Sequence, residues 1–176
     1  MLQTLMKIID APDFVTFCCD LDKWNSLDVD YHPPRVLRLW RNINFEGAEY
    51  RLYLHRILHT DKPCLYHKHR WPSAIFLLEG SYEMGISYDV DPIPPLSTKL
   101  KTPTIATFVL NKGSGYEMLD PHGIHYVKPI TPDSISVMIS GPVFKDIYTK
   151  ESKNKVLHVL DEAAKKDLLL RVLKAL

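Results

Sequence analysis

A chain of 176 residues with 45% apolar and 24% charged side chains has the size and composition of one ordinary globular domain. Its 22 Lys and Arg nearly balance its 21 Asp and Glu, and no basic stripe interleaved with aromatic residues is present, so nucleic acid is not expected as a partner. We find no apolar stretch long enough to cross a bilayer and no leader-like cleavage pattern, so we predict a cytoplasmic protein that does not associate with membranes.

Residues 1–35 are predicted to form an N-terminal helical segment. Asp13 follows Pro12 and is a candidate helix N-cap, and the apolar residues after it recur at the spacing of one helical face. These apolar residues are Phe14, Phe17, Leu21 and Trp24. We expect this face to pack against the rest of the domain.

Residues 36–148 change to short runs of β-type sequence. Seven such runs are separated by clusters rich in Gly, Pro, Asn and Asp, which favour the turns between antiparallel strands. The runs are VLRLWRNINF, EYRLYLHRIL, SAIFLLE, YEMGISY, TIATFVL, IHYVKPI and SISVMIS. Many short strands at close spacing predict a mainly β sandwich or barrel, and the proline-rich stretch 89–103 predicts a long loop that borders it.

Residues 152–176 are predicted to form an amphipathic C-terminal helix. Apolar residues recur every three or four positions, with acidic residues early and lysines late, as the helix dipole favours. Such a helix packs on the barrel or makes a homodimer contact. The whole chain is therefore predicted to be one domain with helices at both ends of a barrel.

Three histidines have a spacing that suits a metal ion. His67 and His69 stand two residues apart, so in a β-strand both rings project from the same face. His125 follows the turn residues Pro121 and Gly123, which deliver it onto a later strand. Metal binding needs three or four donors that converge from different elements, and these three histidines supply the minimum number.

These motifs resemble those of the cupin superfamily (RmlC-like proteins). The resemblance covers roughly residues 41–142 and implies a single-domain jelly-roll β-barrel. Ser73 stands where the commonest cupin pattern has a glutamate ligand, so the implied ligand set is His67, His69 and His125 without a carboxylate. Fe(II) is the first expectation for the metal, because an all-histidine site with open positions suits oxygen chemistry; Zn, Ni and Mn are the alternatives.

Among three-histidine cupins, the chain resembles the cysteine dioxygenase (thiol dioxygenase) group. In RNINFEG, Arg41 matches the arginine that binds the substrate carboxylate in that group. In SISVMISGP, Val137 and Ile139 stand at the positions of a histidine and a tyrosine that position the thiol substrate and dioxygen. The resemblance implies a non-haem iron dioxygenase acting on a small carboxylate-bearing, thiol or diketone-like substrate, with an apolar pocket wall and little turnover of cysteine.

Three further residues are candidates for substrate binding. His55 shares one face of its strand with Arg51 and Tyr53, but the pattern leaves open which face looks into the barrel. Tyr82 and Tyr126 flank the histidine motifs. Two other functions remain open: a sugar isomerase or epimerase that uses a histidine base and a tyrosine acid without metal, and a non-catalytic module that binds a small ligand.

Overall fold

A computed structural model describes residues 1–88, 104–145 and 158–176. Two helices, α1 (Leu2–Ile9) and α2 (Phe14–Cys19), and a short 3-10 turn (Leu21–Lys23) precede the strands, and α3 (Glu162–Ala175) follows them. The strands are β1 (Asn25–Val29), β2 (Val36–Phe45), β3 (Ala48–Leu58), β4 (His67–Lys68), β5 (Ser73–Glu79), β6 (Ser81–Tyr88), β7 (Ala106–Asn111), β8 (Gly115–Met118), β9 (Gly123–Pro129) and β10 (Asp133–Ser140). The loop predicted at 89–103 lies outside the described residues.

The strands form two antiparallel sheets. One has six strands in the order β1-β2-β3-β10-β5-β8, and the other has four in the order β4-β9-β6-β7. Strands that are distant in sequence, such as β3 and β10, are neighbours in the larger sheet. This is the mainly β jelly-roll barrel of the cupin fold, with helices from both ends of the chain, and it confirms the predicted fold class.

The seven predicted runs coincide with seven of these strands, and the differences lie at the ends of the chain. The helical interpretation of residues 1–35 is wrong at its end, because β1 pairs with β2 from Asn25↔Trp40 to Val29↔Val36. The C-terminal helix begins at Glu162, ten residues later than the predicted start at 152. Residues 152–157 lie outside the described part, and His158 forms an isolated bridge to Asp28 that keeps the chain extended before the helix.

A glycine ends β5, as the cupin-like pattern predicts. Gly80 has φ +82°, and a Cβ atom there would lie 2.5 Å from the carbonyl oxygen of Asp133. Any side chain would therefore be strained and would clash with the neighbouring strand. The turn places Glu79 at the exposed end of β5, away from the histidines.

The main apolar core lies outside the barrel, between the six-stranded sheet and the helices. Its sheet residues come from every second position of β2, β3, β5 and β10, and its helical residues come from α1, α2 and α3. Among its fully buried members are Leu5, Leu39, Leu52, Leu54, Val137, Ile139, Leu168 and Val172. The predicted packing of the terminal helices on the barrel is confirmed. No helix in the described ranges is long and apolar enough to span a membrane.

Candidate metal centre

Three histidines converge inside the barrel. His67 of β4 and His125 of β9 face each other across the strand pair, and His69 follows two residues after His67. One ring nitrogen from each histidine can be chosen so that all three lie within 4.8 Å of one another. The two predicted motifs are therefore brought to one place, as a metal site requires.

The spacing of the nitrogens fits a single divalent ion. Nε2 of His69 lies 3.1 Å from Nε2 of His125, and the ring centroids of His67 and His125 are 4.5 Å apart. Two nitrogens that each lie about 2.1 Å from an ion in tetrahedral or octahedral geometry are separated by roughly 3.0–3.4 Å. The three imidazoles can thus act as neighbouring ligands, and the ion keeps open positions for a further ligand.

Two of the imidazoles are oriented through their other nitrogen. Nδ1 of His69 lies 2.7 Å from Oγ of Ser73, and Nδ1 of His67 lies 3.4 Å from the carbonyl oxygen of Leu65. Such hydrogen bonds fix the tautomer and leave Nε2 free to bind a metal. Ser73, at the position of the usual glutamate ligand, therefore positions a ligand. Nδ1 of His125 is buried without a hydrogen-bond partner in the described structure.

The histidines are neutral at physiological pH, which is the form that binds metal. Burial, with the charges of His32 and Arg38, lowers the pKa of His67 to about 4, and burial, with the charges of His67 and Arg38, lowers the pKa of His69 to about 3. The pKa of His125 is also held well below its usual value, first by burial and then by His67 and His69. Protons therefore compete little with a metal ion above about pH 5.

The structure corrects the placement of Arg41. In β2, Arg41 is opposite Leu52, whose side chain belongs to the core beneath the helices. Nη1 of Arg41 donates to the carbonyl oxygen of Phe17 over 3.2 Å, and the guanidinium lies 3.8 Å from the centre of the Phe17 ring. Arg41 thus stabilises the N-terminal helices on the outer face, where it cannot reach a substrate inside the barrel.

Arg38 is the arginine that enters the barrel, and the sequence analysis missed it. It lies three residues before Arg41 and therefore on the opposite face of β2, across from His55. Nε of Arg38 donates to Nε2 of His55 over 3.0 Å, and the guanidinium lies 5.3 Å from the centre of the Tyr53 ring. The period of two in the strand was the signal available, since only one of the two arginines can face inward.

Two of the three other candidate residues lie in the interior. His55 is buried beside Tyr53, and its pKa is held well below the usual value by burial, by Arg38 and by His69. The buried hydroxyl of Tyr82 donates to that of Tyr116 over 3.4 Å, and the Tyr116 ring centre lies 6.1 Å from that of His125. Tyr82 is therefore connected to the histidines through Tyr116.

Tyr126 is placed differently from the prediction. It follows His125 in β9, so its side chain points to the outer face of the four-stranded sheet. Its ring lies over Gly85, where a Cβ atom would be 2.1 Å from the ring, and its hydroxyl donates to Oε1 of Glu83 over 2.7 Å. The side chain of Tyr126 therefore points away from the three histidines.

The predicted apolar pocket wall of Val137 and Ile139 is also wrong. Both side chains are completely buried in the core beneath the helices. Ser136, Met138 and Ser140 occupy the alternate positions of β10 and face the interior. β10 contains no histidine or tyrosine. The absence of the histidine and tyrosine that position substrate and dioxygen in the thiol dioxygenase group therefore stays a prediction, and Ser136, Met138 and Ser140 occupy the inward positions instead.

A cavity of about 420 Å³ opens beside the histidines, between β8 and the β6–β7 pair. Tyr116 contributes to its wall, and the ring centre of Tyr116 lies 6.1 Å from that of His125. The remaining lining is mostly apolar and includes Met84, Ile86, Phe108, Leu110, Met118 and Ile124. A volume of this size suits a small molecule. The barrel thus brings together three histidines that could hold one metal ion.

Comparisons with known proteins give structural likenesses only. No family model and no curated protein matches the chain. Hydroxypropylphosphonic acid epoxidase from S. wedmorenis is 14% identical with a TM-score of 0.45, over 68% of this chain and 56% of the epoxidase. KdgF from Halomonas sp. is 14% identical with a TM-score of 0.43, over 70% of this chain and 90% of KdgF. Protein NMB1881 from Neisseria meningitidis is 13% identical with a TM-score of 0.38, over 58% of this chain and 82% of that protein. The chain spans little more than half of the epoxidase.

Proposed function

We propose that this protein is a metal-dependent oxidoreductase of the dioxygenase type, which binds Fe(II) through His67, His69 and His125. The observation that carries this proposal is the convergence of three neutral imidazoles beside a cavity of small-molecule size. Zn, Ni and Mn remain alternative metals, since histidine nitrogens bind all of them. The cytoplasmic location and the homodimer stay predictions.

A bound ferrous ion would supply a Lewis acid and the electrons for dioxygen chemistry. The chain supplies the rest. Ser73 and the Leu65 carbonyl hold two imidazoles in the ligating orientation. Because the three ligands are neutral, the site keeps the full positive charge of the ion and favours anionic substrates or enolates. Small carboxylates, thiols and diketones are the substrate classes that fit this charge.

The inward-facing residues of β10 influence which substrates the enzyme can convert, because they provide no group for proton transfer. Ser136, Met138 and Ser140 offer no imidazole or phenol for proton transfer. Positioned proton-transfer groups are typically worth about 10²–10⁴ in rate. We therefore expect slow or absent turnover of free cysteine, and we favour a diketone or a substituted acid over a simple thiol.

The metal-free isomerase is the less favoured alternative. Such an enzyme needs an imidazole base and a phenol acid whose pKa values lie near the working pH. Burial instead lowers the pKa values of the interior histidines and raises the pKa of Tyr116 to about 12. Neutral imidazoles with such low pKa values are weak bases, whereas they are good metal ligands.

The test is oxygen uptake by Fe(II)-loaded protein with a panel of thiols, small carboxylates and diketones. We expect substrate-dependent uptake that disappears in His125→Ala and persists in His122→Ala. His122 is exposed in the turn before β9 and serves as the matched control. Turnover without metal would instead indicate the isomerase. Ligand binding to the metal-loaded protein without any turnover would indicate the binding module.

A further inference from the structure

The cavity of about 420 Å³ results from the way in which β7 and β8 are connected. The two strands are joined by the tight turn at residues 112–114, but β7 pairs with β6 in the small sheet and β8 pairs with β5 in the large one. The backbone N–H of Gly113 donates to the carbonyl oxygen of Leu77 over 2.8 Å, and that of Leu77 donates to Ser114 over 2.9 Å. These bonds hold the strands together near the turn. Away from it they follow different sheets and diverge, which leaves the cavity between them.

Side chains from β6, β7 and β8 give this cavity an apolar wall. Phe108 and Leu110 line it from β7, and Tyr116 and Met118 line it from β8. Four large apolar side chains that border the cavity are between 45% and 60% exposed, namely Tyr88, Ile105, Phe108 and Leu119. Exposed apolar residues that share one site are more informative than scattered ones, because a contiguous apolar patch is typical of a binding surface. The lining therefore predicts an apolar occupant.

The cavity has no cation in its wall. Among the described residues that line it, Glu117 and Asp120 are the charged ones, and none is Lys, Arg or His. Glu117 lies between two wall residues of β8, and its carboxylate pairs with the amino group of Met1 over 2.8 Å. Asp120 is exposed, and its Oδ1 accepts from the backbone N–H of His122 over 2.7 Å. An anion in the cavity would find no partner, and a cation would compete with the partners that both carboxylates already have.

One hydroxyl in the wall can make a hydrogen bond without carrying a charge. Tyr116 lines the cavity, and burial raises its pKa to about 12, so its phenol stays neutral. Its oxygen accepts a hydrogen bond from the hydroxyl of Tyr82 over 3.4 Å, which leaves the proton of Tyr116 to be donated. His67, His69 and His125 do not line the cavity. Recognition of an occupant there therefore needs neither a charge nor the metal.

We infer that this cavity binds an uncharged, mainly apolar molecule with the size of about two fused rings and with one oxygen that accepts from Tyr116. A cavity of about 150 Å³ is large enough for benzene, so about 420 Å³ accommodates a larger ring system. A charged group would lose its hydration there without gaining a partner, whereas a neutral oxygen needs only one hydrogen bond. The site is separate from the metal centre, and its assignment does not rest on the proposed function.

The first experiment measures by calorimetry, at pH 7, the binding of three compounds that share a naphthalene ring. 2-Naphthalenemethanol is neutral, 2-naphthoate is an anion and 2-naphthylmethylamine is a cation. We expect one equivalent of the alcohol to bind, at least about tenfold more tightly than the other two compounds. An acid or amine that binds as tightly as the alcohol would overturn the inference, and so would the absence of binding by the alcohol.

The same titration with metal-free and Zn-loaded protein separates this site from the metal centre. We expect the alcohol to bind equally to both forms, and a strong dependence on zinc would place it at the histidines and refute the inference. If the alcohol binds to both forms but no compound supports oxygen uptake by the Fe(II)-loaded protein, the proposed function fails and this inference stands. Oxygen uptake without binding of the alcohol would have the opposite meaning.

Neighbouring residues of β7 test where the molecule binds. Phe108 lines the cavity, whereas Val109 is exposed on the other face of the strand. Phe108→Ala should weaken binding of the alcohol about tenfold, and Val109→Ala should leave it unchanged. Tyr116→Phe should weaken it about 2- to 10-fold through the lost hydrogen bond. An equal loss in the two β7 variants would refute the location, and unchanged binding in Tyr116→Phe would refute the hydrogen bond.

A variant that gains binding guards against losses that arise from unfolding. Leu119 is half-exposed at the cavity, and Ile130 is similarly exposed but does not line it. Leu119→Lys supplies the cation that the wall lacks and should strengthen the binding of 2-naphthoate about 2- to 5-fold, whereas Ile130→Lys should not. If Leu119→Lys leaves the affinity for 2-naphthoate unchanged, the lack of a cation is not what excludes anions, and the inference fails.

Discussion

The outer face of the six-stranded sheet is apolar, whereas its inner face combines polar and ionisable groups with smaller apolar clusters. On the outer face, Leu39, Leu54 and Val137 are fully buried under the terminal helices. On the inner face, Arg38, His55 and Ser136 lie across neighbouring strands at the same level. The helices thus allow the apolar core to form outside the barrel. Polar and ionisable groups can then occupy the interior at a smaller cost to folding, and this leaves room for a binding site.

The largest effect should come from removing a ligand at the inner face. His125→Ala takes away one of three donors and should lower metal affinity by several orders of magnitude. His122→Ala, in the turn just before it, should bind one equivalent of metal as the unmodified protein does. Elemental analysis of protein purified without a histidine tag measures both. Stoichiometric metal in His125→Ala would show that the ligand is wrongly assigned.

Acid should act on the inner face next, because its buried histidines take up protons when the protein unfolds. His55, His67, His69 and His125 stay neutral in the folded protein but take up protons near pH 6.5 when it unfolds. The stability that depends on them is present above pH 6.5 and is lost as the pH falls toward the folded pKa values of about 4 for His67 and about 3 for His69. Each imidazole contributes about 1.4 kcal/mol per pH unit in this window.

Denaturant unfolding of the metal-free protein at several pH values between 7 and 5 measures this loss. A His69→Gln variant should show a shallower dependence on pH, since it lacks one of the titrating groups. His59→Gln is the control, because His59 is exposed beside Asp61. A stability that does not change over this range would mean that the histidines are protonated or solvated in the folded protein.

Substitutions at two adjacent residues of β3 compare how much the outer and inner faces contribute to the free energy of unfolding. Leu54→Ala leaves a cavity beneath the helices and should lower the free energy of unfolding by about 2–5 kcal/mol. Tyr53→Phe removes a hydroxyl whose one close partner among the described residues, Oγ of Ser140, lies 3.5 Å away, and should cost less than about 1 kcal/mol. Urea unfolding gives both values. A larger loss for Tyr53→Phe would place the main stabilising contacts inside the barrel.

The smallest expected effect comes from the hydroxyl of Ser73, which contacts Nδ1 of His69, the ring nitrogen that does not bind the metal. Ser73→Ala removes the group that orients His69 and should weaken metal binding about 10- to 100-fold. Ser136→Ala is the control, since its hydroxyl is buried without a hydrogen-bond partner in the described structure. Competition with a coloured chelator measures the affinities. Unchanged affinity in Ser73→Ala would mean that His69 is held by packing alone.

The barrel and the three histidines could be predicted because their signals are local. Alternating β-type runs between turn residues define the strands, and a pair of histidines two residues apart shares a face whatever surrounds it. Arg41 was assigned from its match to an arginine of the resembled group, and the pattern of β2 did not correct this because the helices bury the outer face as well. Hydrophobic alternation then cannot identify the inner one.

The misplacement of Tyr126 could have been avoided, because successive side chains of a strand point to opposite faces. If His125 faces inward, Tyr126 in the same strand must face outward. The strands β1, β4 and β8 were not among the seven predicted runs. All three are short, β4 and β8 pair with strands far along the chain, and β1 falls within the segment that was interpreted as helical. The late start of α3 depends on the bridge between His158 and Asp28, a tertiary contact with no local signal.

The shortness of β4 also bears on how the chain holds together. Only His67 and Lys68 pair with β9, so the segment that carries two of the ligands is joined to the small sheet by a single short ladder. An ion bound by His69 and His125 would cross-link positions 56 residues apart, and in this respect it would act as a reversible disulfide does. Lys68 and Arg70 are trypsin sites within or beside this segment. Resistance to trypsin at these residues would therefore report occupancy of the metal centre in a protein with no colour of its own.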